Sequence, residues 1–220
     1  MSTFRFAIMG AGNIAHQFCD AVTLVEDCEV SAIASKDLGR AQKFAEECSV
    51  AHAYDNYEQM LIEEKPDCVY IAVTPNDHFR LTMLCLEHRV PVLCEKAMFT
   101  NSAEAKAVFE KAEKDQTFVM EAMWSRFLPA VNQAKEWAAE GKIGRLEALQ
   151  GRIGFLAPEG ADNRYHSPLL CGGAATDITV YAYEIATWLV NEPVRKTYAA
   201  ANLDQTGVDL TDQVTVKFEH

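Results

Sequence analysis

Short apolar runs alternate with longer amphipathic segments over the first half of the chain. The apolar runs predict strands at residues 4–9, 29–34, 53–54, 68–73, 90–94 and 118–122. Between these runs, apolar residues recur at helical spacing, as Ile14, Phe18 and Val22 do at i, i+4 and i+8. Helices are accordingly expected through residues 14–22, 38–47, 56–64 and 101–115, with a further helix that ends near residue 88. This alternation of strands and helices predicts a doubly wound parallel α/β sheet.

The pattern changes after about Trp124, where strand and helix no longer alternate regularly. Pro129 suits the first turn of a helix that ends near Gly141. A strand is expected over residues 145–155, an irregular stretch up to 170, a helix over 173–189, and two further strands over 195–202 and 213–219. This half is expected to be an α+β domain with an antiparallel sheet. The predicted domains are therefore residues 1–123 and 124–220.

Composition and charge restrict the functions that the chain can have. Its 220 residues are 49% hydrophobic and carry a formal net charge of −12. An acidic surface repels nucleic acid and anionic lipid, so neither is expected as a partner. The sequence shows no bilayer-spanning apolar run and no signal peptide, which predicts a soluble cytoplasmic protein. Seven cysteines without a Cys-x-x-Cys pair, and six histidines without metal-binding spacing, predict neither a disulfide framework nor a metal site.

A glycine loop with the sequence GAGNIA, starting at Gly10, follows the first predicted strand and opens the first predicted helix. Gly10 permits a tight turn, Gly12 lets the backbone approach a pyrophosphate, and Ala15 lets helix and strand pack closely. The helix start supplies N–H groups and a partial positive charge, so an acidic protein can hold a dianionic cofactor there. A chance turn is the alternative, but strand, loop and helix in this order favour a dinucleotide site that includes Asn13 and Ile14.

The end of the second predicted strand bears on which nicotinamide cofactor is preferred. An acidic residue at this position would bind the ribose hydroxyls of NAD. Here Ser35 and Lys36 occupy the position, with Arg40 one helical turn further on. A hydroxyl and two cations suit the 2′-phosphate of NADP, although Asp37 follows directly and the cations are alternatively solvated charges at a helix start. NADP is therefore the predicted cofactor and NAD the alternative.

Two further segments lie at the end of the predicted sheet where ligands and catalytic residues are expected. Ligands lie outside the carboxyl ends of the strands, and Thr74-Pro75-Asn76 and Glu95-Lys96 are expected there. These five residues are candidates for contact with the cofactor, and Lys96 is also a candidate for catalysis. The alternative for Lys96 is an ordinary solvated lysine after a strand.

Asp177, Tyr181, Glu184 and Trp188 are spaced by four, three and four residues, which predicts that they share one helix face. Oxidation of a secondary alcohol needs a hydride acceptor and a group that takes the hydroxyl proton. A tyrosine and a lysine placed together near a cationic nicotinamide would both titrate closer to neutrality, as a pair. A carboxylate such as Asp177 could orient the alcohol or the lysine. Alternatively, Asp177 stabilises the helix dipole and Tyr181 is a core residue.

Several segments taken together resemble the Gfo/Idh/MocA oxidoreductases. They are Gly-x-Gly-x-x-Ala at residues 10–15, Thr74-Pro75-Asn76, Glu95-Lys96, MWSRF at 123–127 and GGAATDITVY at 172–181. The sequence EAMWSRF, and Tyr181 where many relatives carry histidine, resemble the branch of dihydrodiol and D-xylose dehydrogenases. The resemblance implies a Rossmann domain, a second domain with an open-faced and mainly antiparallel sheet, a nicotinamide cofactor, and a sugar, polyol or cyclic diol as substrate.

The resemblance also implies roles for individual residues. Lys96 and Tyr181 would act on the alcohol proton, with Asp177 near the substrate. Trp124 and Arg126 would join the cofactor-binding residues. The resemblance further implies homodimers, or higher homo-oligomers, that form through the open sheet.

Three departures from the family pattern bear on these expectations. The family has Glu-Lys-Pro where this chain has Ala97, so a trans Lys96–Ala97 bond and a shifted Lys96 are expected, because a cis bond without proline costs about 3–4 kcal/mol. Phe79 stands where relatives often have histidine, and His78, one residue early, is not assigned a catalytic role. Family members continue for several more strands, so the second domain is expected to be incomplete, with an exposed edge at residues 214–218.

The leading prediction is an NADP-preferring dehydrogenase or reductase that acts on CH–OH groups. A nucleotide-binding sensor without catalysis, or an inactive truncated homologue, is the alternative. Ala97 and the early end of the chain favour that alternative, whereas the joint presence of Lys96, Asp177 and Tyr181 opposes it. The short-chain dehydrogenases are excluded because no tyrosine has a lysine four residues later, and the NTPases because Gly-x-x-x-x-Gly-Lys-[Ser/Thr] is missing.

Overall fold

The structure is a computed structural model that describes residues 3–158, 160 and 163–219. The chain divides into two compact units, Met1–Ala122 and Met123–His220. The first unit holds a six-stranded sheet and the second a two-stranded sheet. No helix among the described residues is both long and apolar enough to cross a membrane.

The first unit is built on a parallel sheet whose successive strands are joined by helices. The strands are β1 (Phe4–Met9), β2 (Cys28–Ala34), β3 (His52–Tyr54), β4 (Cys68–Ile71), β5 (Val92–Cys94) and β6 (Val119–Glu121). The helices are α1 (Asn13–Val22), α2 (Leu38–Cys48), α3 (Tyr57–Glu64), α4 (His78–Glu87) and α5 (Ser102–Asp115). The strand order is β3-β2-β1-β4-β5-β6, all parallel, so the predicted doubly wound Rossmann sheet is confirmed.

Alternate strand residues feed two hydrophobic cores, one on each face of the sheet. On β1, Ala7 and Met9 join a core with residues of α3 and α4, whereas Ile8 joins a second core with residues of α1 and α2. A strand covered on both faces needs no polar side chains, which explains the unbroken apolar run of β4. Because β1 and β4 lie side by side at the centre, the connections that leave their carboxyl ends diverge. In such sheets this divergence opens a ligand-binding crevice.

Among its described residues, the second unit contains two α-helices, several short 3-10 turns and a β-hairpin. Helices α6 (Pro129–Ala139) and α7 (Val180–Val190) contact each other, and β7 (Val194–Leu203) pairs antiparallel with β8 (Asp209–Phe218). The predicted strand over residues 145–155 is wrong, because in the part of the chain that the structure describes these residues pair with no strand. An apolar pattern favours an extended chain, but a strand forms only where a neighbour exchanges backbone hydrogen bonds with it.

The regular part of α7 begins later than the sequence predicts. A wide turn of the π type, Ala175–Thr179, precedes it. In this turn the amide of Ala175 donates a hydrogen bond of 2.5 Å to the Asp209 carboxylate of β8, which supplies a partner that the first amides of a helix lack. Asp177 therefore lies in the wide turn, and Tyr181 lies in the regular helix. Single wide turns of this kind often occur at functional sites.

Candidate functional site

The glycine loop between β1 and α1 has the conformation that a dinucleotide site requires. Gly10 has a φ of +109°, and a Cβ there would lie 2.7 Å from the carbonyl oxygen of Ala72, so only glycine fits. Among the described residues, a Cβ added at Gly12 would come no nearer to another part of the chain than 3.9 Å. Gly12 thus leaves clear space over the loop, where a phosphate group can approach the backbone.

The start of α1 adds an electrostatic attraction to this clear space. Gly12 precedes the helix and has no side chain with which to cap it. The first amides of a helix lack partners within the helix, and they favour a negative charge. Asn13 and Ile14 begin α1 and both are exposed. An exposed isoleucine beside an uncapped helix start suits a surface that a bound molecule covers.

The end of β2 carries the predicted discriminators between NAD and NADP. Ser35 is buried, whereas Lys36 and Arg40 are exposed. The carboxylate of Asp37 accepts a hydrogen bond of 2.8 Å from the amide of Arg40 and so caps α2. The guanidinium of Arg40 reaches back to the glycine loop and donates to the carbonyl of Ala11 at 3.3 Å. The acidic residue here is therefore engaged by the helix, while a cation lies against the glycine loop.

The loop after β4 lies next to the end of β2. Thr74 and Pro75 are half-buried and Asn76 is exposed, and the chain makes one helical turn there before α4. Asp77 follows, and its carboxylate pairs with the ammonium of Lys36 at 2.5 Å. This ion pair joins two loops that are far apart in sequence, and sequence analysis assigned Asp77 no role.

The loop after β5 holds Lys96 among buried groups. The amide of Glu95 donates to the carbonyl of Ile71 at 2.9 Å, which extends the pairing of β4 and β5 into the loop. The hydroxyl of Tyr70 donates to the Glu95 carboxylate at 2.5 Å, and the same carboxylate accepts the amide of Lys96 at 3.2 Å. Burial raises the pKa of Glu95, and the bond from Tyr70 opposes this shift. Lys96 therefore follows a carboxylate that is fixed on both sides.

The peptide bond between Lys96 and Ala97 is cis, so the prediction of a trans bond is wrong. That prediction weighed only the local cost of the bond and not the contacts on either side of it. The carbonyl oxygen of Ala97 lies 3.0 Å from Nδ1 of His78, and the amide of Met98 donates to the Glu121 carboxylate at 2.8 Å. Tertiary contacts thus surround the bond that the sequence treats as isolated.

His78 is a buried residue that contacts two loops at the carboxyl ends of the strands, and the sequence analysis assigned it no role. Its ring is fully buried, with Nδ1 against Ala97 and Nε2 lying 3.0 Å from the carbonyl oxygen of Val73. It therefore contacts both the loop after β4 and the loop that carries Lys96. The signal in the sequence is the position of His78 close to the Thr-Pro-Asn segment, although it stands one residue before the family position.

The second unit brings Trp124 and Tyr181 together. The indole Nε1 of Trp124 donates a hydrogen bond of 2.9 Å to the hydroxyl of Tyr181. In the next turn of α7, the buried carboxylate of Glu184 accepts a hydrogen bond of 3.0 Å from the Ser125 hydroxyl and pairs with Arg126. Glu184, which sequence analysis placed on the same helix face without a role, thus anchors the Trp-Ser-Arg segment.

Asp177 faces the irregular segment that precedes α7. Its carboxylate pairs with the guanidinium of Arg164 at 3.3 Å. His166 lies two residues after Arg164, and its Nδ1 is 2.9 Å from the Asp204 carboxylate. Hydrogen bonds from Thr206 and from His166 lower the pKa of Asp204 to about 2. The segment therefore presents basic side chains to the acidic residues of its own unit.

The predicted residues thus fall into two groups. Those of the first unit, including Lys96, lie at the carboxyl ends of β1, β2, β4 and β5. Trp124, Arg126, Asp177 and Tyr181 belong to the second unit. Within the described ranges, no group of three or more His, Cys, Asp or Glu side chains lies together as a metal site would need.

Comparison with protein families gives matches to both units. Residues 4–123 match the model described as "Oxidoreductase family, NAD-binding Rossmann fold", and residues 131–220 match "GFO/IDH/MocA C-terminal domain". Together with the strand order and the glycine loop, these matches define a dinucleotide-binding oxidoreductase fold. The chain belongs to the Gfo/Idh/MocA oxidoreductase family.

Named relatives give a narrower comparison. The chain is 32% identical to the trans-1,2-dihydrobenzene-1,2-diol dehydrogenase of Mus musculus, over 97% of this chain and 65% of that protein. It is 30% identical to the enzyme of the same name from Homo sapiens, over 98% of this chain and 64% of that protein. The chain therefore spans about 65% of the length of the curated relatives it matches.

Solved structures show the same fold. A mutant 3-ketoreductase from Actinomadura kijaniata, in complex with TDP-benzene and NADP, matches with a TM-score of 0.91 at 23% identity, over 99% of this chain and 67% of that one. A scyllo-inositol dehydrogenase from Lactobacillus casei, with bound NAD(H) and scyllo-inositol, matches with a TM-score of 0.79 at 14% identity, over 99% and 67% of the two chains.

Proposed function

We propose that the protein is an NADP-preferring dehydrogenase or reductase that transfers a hydride between nicotinamide and a secondary alcohol of a sugar, polyol or cyclic diol. The observation that carries the proposal is the glycine loop, with clear space over Gly12 and with Lys36 and Arg40 at the neighbouring strand end. The names of the dihydrodiol dehydrogenase relatives supply the class of substrate.

The residues present fit a nicotinamide dinucleotide. The diphosphate would lie over the loop and the start of α1, held by the backbone of Gly10, Gly12, Asn13 and Ile14. Ser35, Lys36 and Arg40 would hold the 2′-phosphate, because two cations attract a dianion and Asp37 is occupied as a helix cap. The other proposed cofactor contacts are Thr74, Pro75, Asn76, Glu95, Lys96, Trp124 and Arg126.

Proton transfer is the task proposed for the side chains of the protein. When bound, the nicotinamide accepts or donates the hydride. Lys96 and Tyr181 would take up or return the proton of the alcohol oxygen. The hydrogen bond that Trp124 donates to the Tyr181 oxygen holds that oxygen in a defined position. Asp177, held by Arg164, would orient the substrate hydroxyl groups.

A calorimetric titration of the 220-residue chain with NADPH and with NADH tests the proposal. We expect NADPH to bind more tightly than NADH. We also expect a separate assay with the oxidised cofactor, NADP+, to show turnover with at least one alcohol from a panel of sugars, polyols and cyclic diols, in which the alcohol gives up a hydride to NADP+ and a proton to the protein. Tighter binding of NADH would overturn the NADP preference, and binding of neither cofactor would overturn the whole proposal. Cofactor binding without turnover would favour the non-catalytic sensor.

The exposed hairpin suggests a homodimer as the working form. Every residue of β7 is exposed, and the exposed apolar side chains of the hairpin include Tyr198, Leu203, Leu210 and Val214. Removing apolar surface from water stabilises association by about 25 cal/mol per Å². Sedimentation velocity is expected to give a species of twice the 24.5 kDa chain mass. A 24.5 kDa species at every concentration would contradict the dimer.

A further inference from the structure

The ion pair between Lys36 and Asp77 lies where the proposed 2′-phosphate would bind. The Lys36 side chain is 67% exposed, and its ammonium lies 2.5 Å from the Asp77 carboxylate, which is only 16% exposed. The second carboxylate oxygen of Asp77 accepts a hydrogen bond of 3.3 Å from Nε of Arg80. The Asp77 carboxylate thus forms an ion pair with Lys36, the lysine on which the proposed cofactor preference depends.

Asp77 carries a full negative charge at neutral pH. Burial acts to raise the pKa of its carboxyl group, but the hydrogen bond from Lys36 and the charge of Arg80 outweigh burial and hold the pKa below its ordinary value. Its side chain caps no helix, although Asp77 directly precedes α4. The carboxylate of Asp77 therefore contacts two cations, Lys36 and Arg80, and a neutral replacement removes no helix cap.

We propose that Asp77 is a specificity-determining residue whose carboxylate competes with the adenosine 2′-phosphate for Lys36 and so limits the preference for NADP over NAD. This inference rests on the proposed function. The acidic residue at the end of β2, Asp37, is not the competitor, because its carboxylate accepts the amide of Arg40. The competing acid comes instead from the loop after β4.

The size of the competition follows from charge. A lysine has three N–H donors and can contact both anions, but the carboxylate and the phosphate then lie close together. Two unit charges 4 Å apart in water repel by an energy that corresponds to about a fivefold change in affinity. A phosphate carries nearly two charges and salt screens part of the repulsion, so the net effect is expected to be about tenfold. The 2′-hydroxyl of NAD is neutral and meets no such penalty.

Calorimetric titration of the full 220-residue chain tests the inference, and it needs no substrate. Asp77→Asn keeps the shape of the side chain and removes its charge. We expect the Kd for NADPH to fall about tenfold, because repulsion disappears and Lys36 is released, while the Kd for NADH changes less than about twofold. The gain for NADPH should shrink when the salt concentration is raised from 50 to 300 mM, as about a 2.4-fold shorter screening length requires.

Two further variants make the result specific. Asp115→Asn is the matched control, because Asp115 also pairs with a lysine, Lys111, at 2.8 Å, but lies at the end of α5, which leads to the amino end of β6. It should leave both Kd values unchanged. Asp77→Ser is a second neutral replacement and should reproduce Asp77→Asn.

The outcomes separate this inference from the proposed function. An unchanged or lower preference for NADPH in both Asp77 variants, with cofactor binding intact in the unaltered chain, overturns the role of Asp77 alone. Equal gains in affinity for NADPH and NADH also overturn it. Failure of the unaltered chain to bind either cofactor overturns the proposed function, and this inference with it.

Discussion

Lys36 and Lys96 follow two strands of the same sheet, yet their surroundings differ. Lys36 is largely exposed and its ammonium pairs with Asp77 across the surface of two loops. Lys96 is half-buried, in a loop whose neighbouring groups are held by Tyr70 and by His78. An exposed charge can change without disturbing the core, whereas a packed loop fixes the position of what it carries. The exposed position of Lys36 suits selection between cofactors, and the packed position of Lys96 suits proton transfer.

Replacing Lys96 should have the largest effect. Lys96→Met keeps most of the length of the side chain but removes the ammonium, and we expect kcat to fall about 10³-fold, within the usual contribution of a proton-transfer group. The Kd for NADPH should change by no more than about twofold, because Lys96 is one of many proposed cofactor contacts and the loop backbone is held by other residues. Turnover assays and calorimetry measure the two effects.

The matched control for that prediction is Lys106→Met. Lys106 lies on the exposed side of α5 and pairs only weakly with Glu110, at 3.7 Å. Its replacement should alter neither turnover nor binding. Undiminished turnover in Lys96→Met would show that Lys96 does not take part in proton transfer. The difference in burial between Lys36 and Lys96 would then not correspond to a difference in function.

Replacing His78 should have the next largest effect, because it removes a buried contact with the loop that carries Lys96. His78→Phe fills a similar volume but removes the one N–H that the neutral ring can donate to the carbonyl oxygen of Val73 or of Ala97. A buried acceptor left unsatisfied costs about 1–3 kcal/mol, so the free energy of unfolding should fall by about 2 kcal/mol. Denaturant unfolding measures this loss. We also expect kcat to fall while the Kd for NADPH stays unchanged.

His88→Gln is the control for His78. His88 lies at the end of the same helix and contacts Glu58 at 3.4 Å on the surface. A surface change of this kind should alter the free energy of unfolding by less than about 0.5 kcal/mol. Equal effects of the two histidine variants would show that His78 does not hold the loop.

Replacing Lys36 should have a smaller effect, limited to one cofactor. Lys36→Met removes an exposed cation, and we expect the Kd for NADPH to rise about tenfold, or about 1.4 kcal/mol, with the Kd for NADH within twofold. Lys43→Met, on α2 and paired with Glu47 at 3.7 Å, is the control. Loss of NADH binding in Lys36→Met would mean that Lys36 holds the whole cofactor and not its phosphate.

The same contrast explains how much the sequence predicts. The strands and helices of the first unit and the glycine loop depend on residues close together in the chain, so periodicity and spacing were enough to locate them. The contacts between Lys36 and Asp77 and between His78 and Ala97 join residues 41 and 19 positions apart, and they exist only after the sheet brings its strand ends together. No local pattern encodes such contacts.

Two wrong predictions have the same cause. The strand over residues 145–155 was predicted from its apolar pattern without knowledge of a partner strand. The trans bond before Ala97 was predicted from the energy of one peptide bond, without the groups that surround it. In both cases a local rule was applied where neighbours distant in sequence decide the structure.

The smallest predicted effect concerns Glu95 and the pH dependence of stability. Burial, the largest cause, raises the pKa of Glu95 in the folded chain above its value in the unfolded chain. The folded state then binds more protons than the unfolded state between these two values, so the free energy of unfolding should decrease as pH rises through that window. Glu95→Gln should remove this decrease.

The exposed Glu47 is the control. Its pKa is lowered by a hydrogen bond with His16, so it gives the opposite slope, with stability lost as pH falls. Thermal unfolding of Glu95→Gln and Glu47→Gln between pH 3 and 7 should therefore change the pH profile in opposite directions, and changes of the same sign would show that burial does not distinguish the loop that carries Lys96.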